Sequence, residues 1–419
     1  MMLDRNKAYY FGLLSYLAIA YSAIHFFIGY ALAKIIFAIF LLIITDFKFI
    51  TKPTFLYLII SFGIIVLGQF ATLGGFDFVN MSAALVITVI IPYAICDIEK
   101  LSFPKFYTKA MLLICIISLP FYMGSIMSPS FFHSLQEIAQ KYSFLDPSEY
   151  DRQFILHSAA SAKDSFSGLI RNAGPFNEAG VHALFLIIGI YFNFITTRKI
   201  FNFAGVTFIV SLFFTFSTAG YIGFFALFTG INTQLRINKT IKILTSIVLI
   251  IFMIFFFFLN ELMYSKIEKQ YTAANQIDLN KRTGGRFYGA RKAINVLQHY
   301  PIFGKGLTHA TREQNEYSSE FLRYGILSEF GKIGIPFAIL YLIMLYKGIR
   351  SYEYRYGSKI FLSISFYIAL LINLFSQSFA LYPVLMIIVI TGIKSYSIVL
   401  NPVQKSIYQK TYYTRKILS

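Results

Sequence analysis

Tryptophan is absent from the 419 residues, cysteine occurs twice, and acidic residues number 19 against 37 lysines and arginines. Without tryptophan, any aromatic belt at a membrane–water boundary must be built mainly from the 30 tyrosines. Cys96 and Cys115 lie in or beside apolar segments, which argues against a disulfide framework or a thiolate metal site. Charged residues make up only 13% of the chain and hydrophobic residues 57%, with a mean hydropathy of +0.64. A soluble domain cannot hide that much apolar surface, so the solvent is lipid. P-loop, dinucleotide-binding, zinc-binding and nucleophile-elbow patterns are all missing. There is no internal repeat and no low-complexity tract.

What is present is a series of apolar runs bounded by charge or turn residues. About twelve are discernible, near 8–24, 27–45, 54–71, 79–96, 108–124, 179–196, 201–216, 220–233, 241–260, 335–347, 360–376 and 381–398. The break at FSTAGYIG is either a tight hairpin between two spans or a kink in one. Arg5 and Lys7 precede the first run with no small-residue cleavage signal, which reads as a retained first helix.

With the N-terminus placed inside and the spans alternating, the inside segments hold 21 cations, against Asp4, Asp46, Asp97, Glu99 and Glu353. That asymmetry predicts an N-in, C-in topology and accounts for the formal charge of +18 without a nucleic-acid partner. The expected fold class is therefore all-α. It is a polytopic integral membrane helix bundle of about twelve spans, one membrane domain over 1–419. The basic tail 399–419 is expected to lie along the cytoplasmic leaflet.

Two outer segments are too long to be turns: 125–178 and 261–334. Both are rich in aromatic and aliphatic residues and so do not read as disordered. The second carries eleven cations and seven acids, a net basic surface where positive charge is normally scarce. Within it, Arg286–His299 reads as a helix with Phe287, Ala290, Ile294 and Leu297 as an apolar stripe. Thr283 and Gly284–Gly285 precede the helix, and Tyr300–Pro301 stops it.

The candidates for chemistry gather on these outer segments. Arg171 sits in SGLIRNAGPFNEAG, where Gly168, Gly174 and Pro175 turn the backbone toward the next run. A guanidinium binds phosphate through a planar fork and keeps its charge when partly desolvated. Glu178 and His182 follow, four residues apart at the mouth of an apolar run. They are either functional or a self-neutralising pair. Arg282, Arg286, Arg291 and Lys292 form a second cluster, with Arg286 in the first turn of the helix, where free N–H groups favour anions. The third cluster, in HATREQNEYSSEFLRYGILSEFGKIG, holds His309, Glu316, Glu320, Arg323 and Glu329.

These stretches resemble the O-antigen polymerase and ligase superfamily, the Wzy-type membrane glycosyltransferases. RNAGPFNEAG is similar to that family's outer-loop pattern of Arg, Gly, Phe, acid and Gly before a span. TGGRFYGARKAI followed by YPIFGKG is similar to its Gly-Arg helix and Pro-aliphatic-Gly-x-Gly turn. FTFSTAGYIGFFAL resembles its Ser-rich entrance to a span, and SEFGKIG resembles its typical loop ending. Ligases of the superfamily commonly place a His-Asn-like pair eleven residues before the first glycine of the Gly-x-x-Gly ending. Here that count from Gly331 lands on Glu320, followed by Phe321, with His309 eleven residues further upstream. The departure favours polymerase over ligase. The Arg-x10-Gly motifs of some polymerases fit neither arginine, since His182 and Leu297 stand eleven residues after Arg171 and Arg286.

The resemblance implies transfer of a glycan from a polyprenyl diphosphate to an acceptor sugar hydroxyl, at the outer face of a bacterial cytoplasmic membrane. It implies Arg171 and Arg286 as the diphosphate clamp with Arg291 assisting, and Glu320 as base with Glu178 in reserve. His182, His309 and Arg323 would support them. No metal or cofactor is required, because the arginines do the charge work. A chain-length regulator and a flippase are the expected protein partners. A ligase acting on lipid A core is the rival within this chemistry. A lipid-linked sugar flippase or secondary transporter is the rival outside it, and would place charges deep within several spans.

Overall fold

The structure is a computed structural model. It describes residues 12–20, 31–44, 49–73, 78–99, 103–128, 171–176, 178–235, 286–306 and 325–399, with isolated positions in 130–158 and 238–251. The described residues are almost entirely helical. Helix α1 covers 12–20, α2 Ala31–Ile44 and α3 Pro53–Leu73. Helix α4 runs from Phe78–Leu85 through a π turn at Val86–Ile90 into Ile91–Glu99. Then come α5 (Phe103–Met127), α6 (Ala179–Thr197), α7 (Phe203–Phe213) and α8 (Thr218–Gln234). Helix α9 is Arg286–His299 and α10 Gly325–Ile333. Three long helices close the described chain: α11 (Ile335–Tyr356), α12 (Ile360–Ser376) and α13 (Pro383–Val399). The strands found are two-residue pieces, Gln153–Phe154 antiparallel to His157–Ser158.

FSTAGYIG is a true break. Helix α7 ends at Phe213, and the Ser217 side chain caps α8 by accepting from the Gly220 N–H at 3.2 Å. At the other end of α7, Asn202 caps by accepting from the Gly205 N–H at 2.8 Å.

Helix α6 is the axis of the bundle. Every residue from Ala179 to Ile195 is buried, and α5, α7, α8, α11 and α12 all pack on it. Small residues let the neighbours approach. The Cβ positions of Gly220 and Gly223 on α8 would overlap Ala183 on α6 and Asn373 on α12. Aromatic side chains fill the remaining volume. Tyr191 stacks on Phe366 with centroids 3.7 Å apart, and Phe192 meets Tyr352 edge-on at 5.5 Å. The outer helices turn bare apolar rows away from this core: Leu56, Ile60, Ile64 and Leu67 on α3, and Phe203, Val206, Val210 and Phe213 on α7. Such rows suit lipid and would be an aggregation surface in water. Among the described residues, two helices, Phe103–Met127 and Ala179–Thr197, are long and apolar enough to cross a membrane.

Contacts sort the charged and polar residues into two ends. At one, Lys52 before α3, Asp97 at the close of α4 and Lys394 on α13 converge, with Lys52 Nζ 2.6 Å and Lys394 Nζ 3.4 Å from Asp97 Oδ1. Arg198 after α6 joins that end, donating to Ser358 Oγ at 2.8 Å. Arg350 meets the fully buried Glu353 at 3.1 Å, and Ser363 also donates to that carboxylate. At the opposite end lie the residues before α6, the α7–α8 turn, the C-terminal end of α12, and α9 with α10.

Helix α9 keeps part of the expected stripe: Leu297 packs against the core, and the Phe287 side chain lies outside the described residues. Gly289 and Ala293 are buried, and Val296 lies over Gly331 of α10, whereas Ile294 is 48% exposed. The inward face is rotated toward small side chains because the α10 backbone comes within van der Waals reach at Gly331.

Candidate functional site

Residues 171–176 form a tight plug on the end of the bundle. Arg171 Nε donates to the Thr215 carbonyl at 3.1 Å, and the Asn172 N–H to the Phe214 carbonyl at 2.8 Å. The plug is thereby docked on the α7–α8 turn. Arg171 is half-buried, close enough to Tyr221 for its charge to act on that phenol. The turn itself is strained: Phe216 is a non-glycine residue at φ 46°. Left-handed backbone of this kind costs of order 1–3 kcal/mol and persists only where its surroundings hold it. Here the Tyr221 hydroxyl donates to the Phe213 carbonyl and helps to close the turn.

His182 is fully buried under the plug. Its Nδ1 lies 3.3 Å from the Asn172 carbonyl oxygen, which can only accept, so Nδ1 carries the proton. Gly174 has φ +57°, and a Cβ there would fall 2.9 Å from the imidazole. Phe176 covers the other side, 5.2 Å from the His182 ring and stacked on Phe185 at 5.1 Å. The histidine thus shapes the loop that carries Arg171.

Glu178 takes a different direction. It precedes α6 with extended backbone, and its side chain does not cap the helix. Its exposed carboxylate accepts from Gln377 Nε2 at 3.1 Å. Glu178 and His182 therefore face separate partners. Gln377 escaped the sequence reading because a neutral amide between two apolar runs gives no pattern that marks chemistry.

The two glycine-rich signatures of the second loop meet as one structure. The Lys305 N–H donates to the Gly331 carbonyl at 2.7 Å, Gly306 N–H to Lys332 carbonyl at 3.2 Å, and Ile335 N–H to Pro301 carbonyl at 2.8 Å. Gly304 at φ +70° and Gly334 at φ +84° face backbone that leaves no room for a Cβ. The YPIFGKG and GKIG segments thus clasp each other and hold α9 on α10. The clasp is fixed to the bundle through the Phe303 ring, which lies against Gly68 of α3, and through Gly325, which lies against the Phe375 carbonyl of α12. Glu329, buried on α10, pairs with Lys332 at 2.9 Å. Burial pushes its carboxyl above the usual carboxylate range, and the Lys332 charge only partly offsets this.

Arg171, Glu178 and the α9–α10 clasp accordingly share one end of the molecule. Arg286 is the first residue of α9, and Arg291 is exposed further along it. Glu320, His309, Arg323, Glu316 and Arg282 lie outside the described residues. Among the described residues, no cluster of three or more His, Cys, Asp or Glu could hold a metal ion.

The bundle has lipid-suited outer faces and gathers polar loops at one end, consistent with a membrane location. Residues 203–330 match the family model described as O-antigen ligase, consistent with the O-antigen polymerase/ligase superfamily. The match opens at the first residue of α7 and ends within α10, so it takes in the α7–α8 turn, α9 and the YPIFGKG half of the clasp, while GKIG lies just beyond it. Members of this family are glycosyltransferase-like enzymes of polysaccharide biosynthesis and membrane proteins. No curated protein matches the chain.

Proposed function

We propose that this protein is a polymerase of lipid-linked polysaccharide repeat units. It would transfer a glycan from a polyprenyl diphosphate to a sugar hydroxyl on another lipid-linked unit, without a metal. The observation that carries the reading is the bond from Arg171 Nε to the Thr215 carbonyl. It sets a cation from the first outer loop on the family-matched α7–α8 turn, beside the N-terminus of α8. A fixed guanidinium and a helix N-terminus together suit an anion.

In the proposed reaction the acceptor hydroxyl oxygen bonds to the anomeric carbon as the carbon–oxygen bond to the diphosphate breaks. The electron pair departs on the diphosphate, where Arg171 and Arg286, assisted by Arg291, stabilise it. The hydroxyl proton passes to a carboxylate, Glu320 or Glu178. Attack from the opposite face inverts the anomeric carbon. Support for the membrane geometry comes from the cation-rich end at Lys52, Arg198 and Lys394, which the charge bias places in the cytoplasm. The active end then faces outward, with the bilayer, a flippase and a chain-length regulator as partners. About twelve spans and the two outer loops 125–178 and 261–334 belong to the same proposal.

Deleting the gene tests it. Loss of a polymerase leaves single-repeat glycans capping the lipid A core. Polymer that accumulates unattached instead would make the protein a ligase, and unchanged polymer would reject both.

A further inference from the structure

The carboxylate–amide pair between Glu178 and Gln377 joins positions 199 residues apart. Gln377 ends α12 in extended backbone and is 4% exposed, while Glu178 is exposed at the start of α6. Both stand on rigid elements, since α6 is the buried axis and α12 packs on it and on α8. A glutamate is a poor helix cap, and this one does not cap. Its side chain is instead held by a buried donor that carries no charge. A neutral amide fixes the direction of a carboxylate without cancelling its charge, whereas a lysine or arginine would do both.

We propose that Gln377 is a positioning residue for the transfer reaction. By holding Glu178 Oε2, it directs Oε1 at the attacking hydroxyl of the acceptor sugar. Glu178, rather than Glu320, then receives the proton as the hydroxyl oxygen bonds to the anomeric carbon and the diphosphate leaves with the electron pair. The inference rests on the proposed function, and its test separates the two.

The test uses the full-length protein in a deletion strain and, purified, in detergent. The variants are Gln377→Ala and the swap Glu178→Gln with Gln377→Glu. The swap keeps the hydrogen bond but moves the negative charge to the other partner. The probe for the donor site is polyprenyl diphosphate alone, read as a rise in Tm. Gln377→Ala and the swap should both keep that rise and lose at least tenfold in polymer per amount of membrane protein. A swapped protein that polymerises normally would show the pair to be a brace between α6 and α12, and would overturn the proposal. So would normal polymer from Gln377→Ala, which decides the matter if the swap does not accumulate. If polyprenyl diphosphate leaves the Tm of the unaltered protein unchanged, it is the glycosyl-transfer reading that fails.

Discussion

The two ends of the bundle treat their charges differently. At the Lys52 end, Asp97 lies between two lysines and Glu353 is met by Arg350 and Ser363. Each of these carboxylates has a cation beside it, which is what structural charge in a low-dielectric setting requires. At the loop end, a backbone carbonyl takes Arg171 Nε and an amide holds Glu178. The Gln377 amide orients the Glu178 carboxylate without cancelling its charge. Glu329 and Lys332 show that the loop end also contains a structural pair, buried within the clasp rather than at its surface. Charge alone therefore does not mark the site.

The largest expected effect falls on Arg171. Replacement by Ala should lower polymer by about a hundredfold or more, the scale of removing one preorganised charge-stabilising donor. Lys should not restore it, because an ammonium cannot both take the place of Nε on the Thr215 carbonyl and present a fork. Polysaccharide gels normalised to membrane abundance measure this. Substantial polymer from Arg171→Ala would erase the functional distinction between the ends.

Asp97→Asn is the matching change at the other end. It leaves two lysines without their shared carboxylate in a partly exposed setting, which costs about 1–2 kcal/mol. Thermal unfolding in detergent should show a Tm lower by a few degrees, with polymer per folded protein unchanged. A large loss of polymer at normal Tm would give the Asp97 cluster a catalytic role.

The smallest effect concerns Glu329 and pH. Its folded-state carboxyl titrates above the unfolded value of 4.5 because burial disfavours the ion. The folded state therefore holds more protons than the unfolded state in that window. Its stabilising contribution is full below the unfolded value and is lost as pH rises through the folded one. Glu329→Gln removes this dependence, so its Tm relative to the unaltered protein should be higher at pH 7 than at pH 5. An unaltered difference between the two pH values would mean that Lys332 compensates the burial fully.

Much of the fold was legible because lipid imposes long apolar runs with charged ends. The helices α3 through α8, α12 and α13 begin and end within about five residues of those runs, whereas α11 continues past its run at 335–347 to Tyr356. The FSTAGYIG break was readable as an ambiguity, and the Ser217 cap resolved it. Arg171 could be singled out because an arginine among Gly and Pro at a span mouth is conspicuous. The α9 stripe held at Leu297 and failed at Ile294, because the partner surface, the Gly331 backbone, favours Ala293 over the larger Ile294. Periodicity measures apolarity and carries no information on how close a neighbour comes.

The chain by itself determined the solvent it lives in, the position of its helices and the loops that collect arginine and acid. Those follow from hydrophobicity and backbone hydrogen bonding, which act within a single segment. Only the tertiary structure decided that His182 serves the Arg171 loop, that YPIFGKG clasps GKIG, and that Glu178 answers to Gln377. Each of these depends on a directional bond between residues distant in sequence. Such bonds form only after packing has brought the helix ends together.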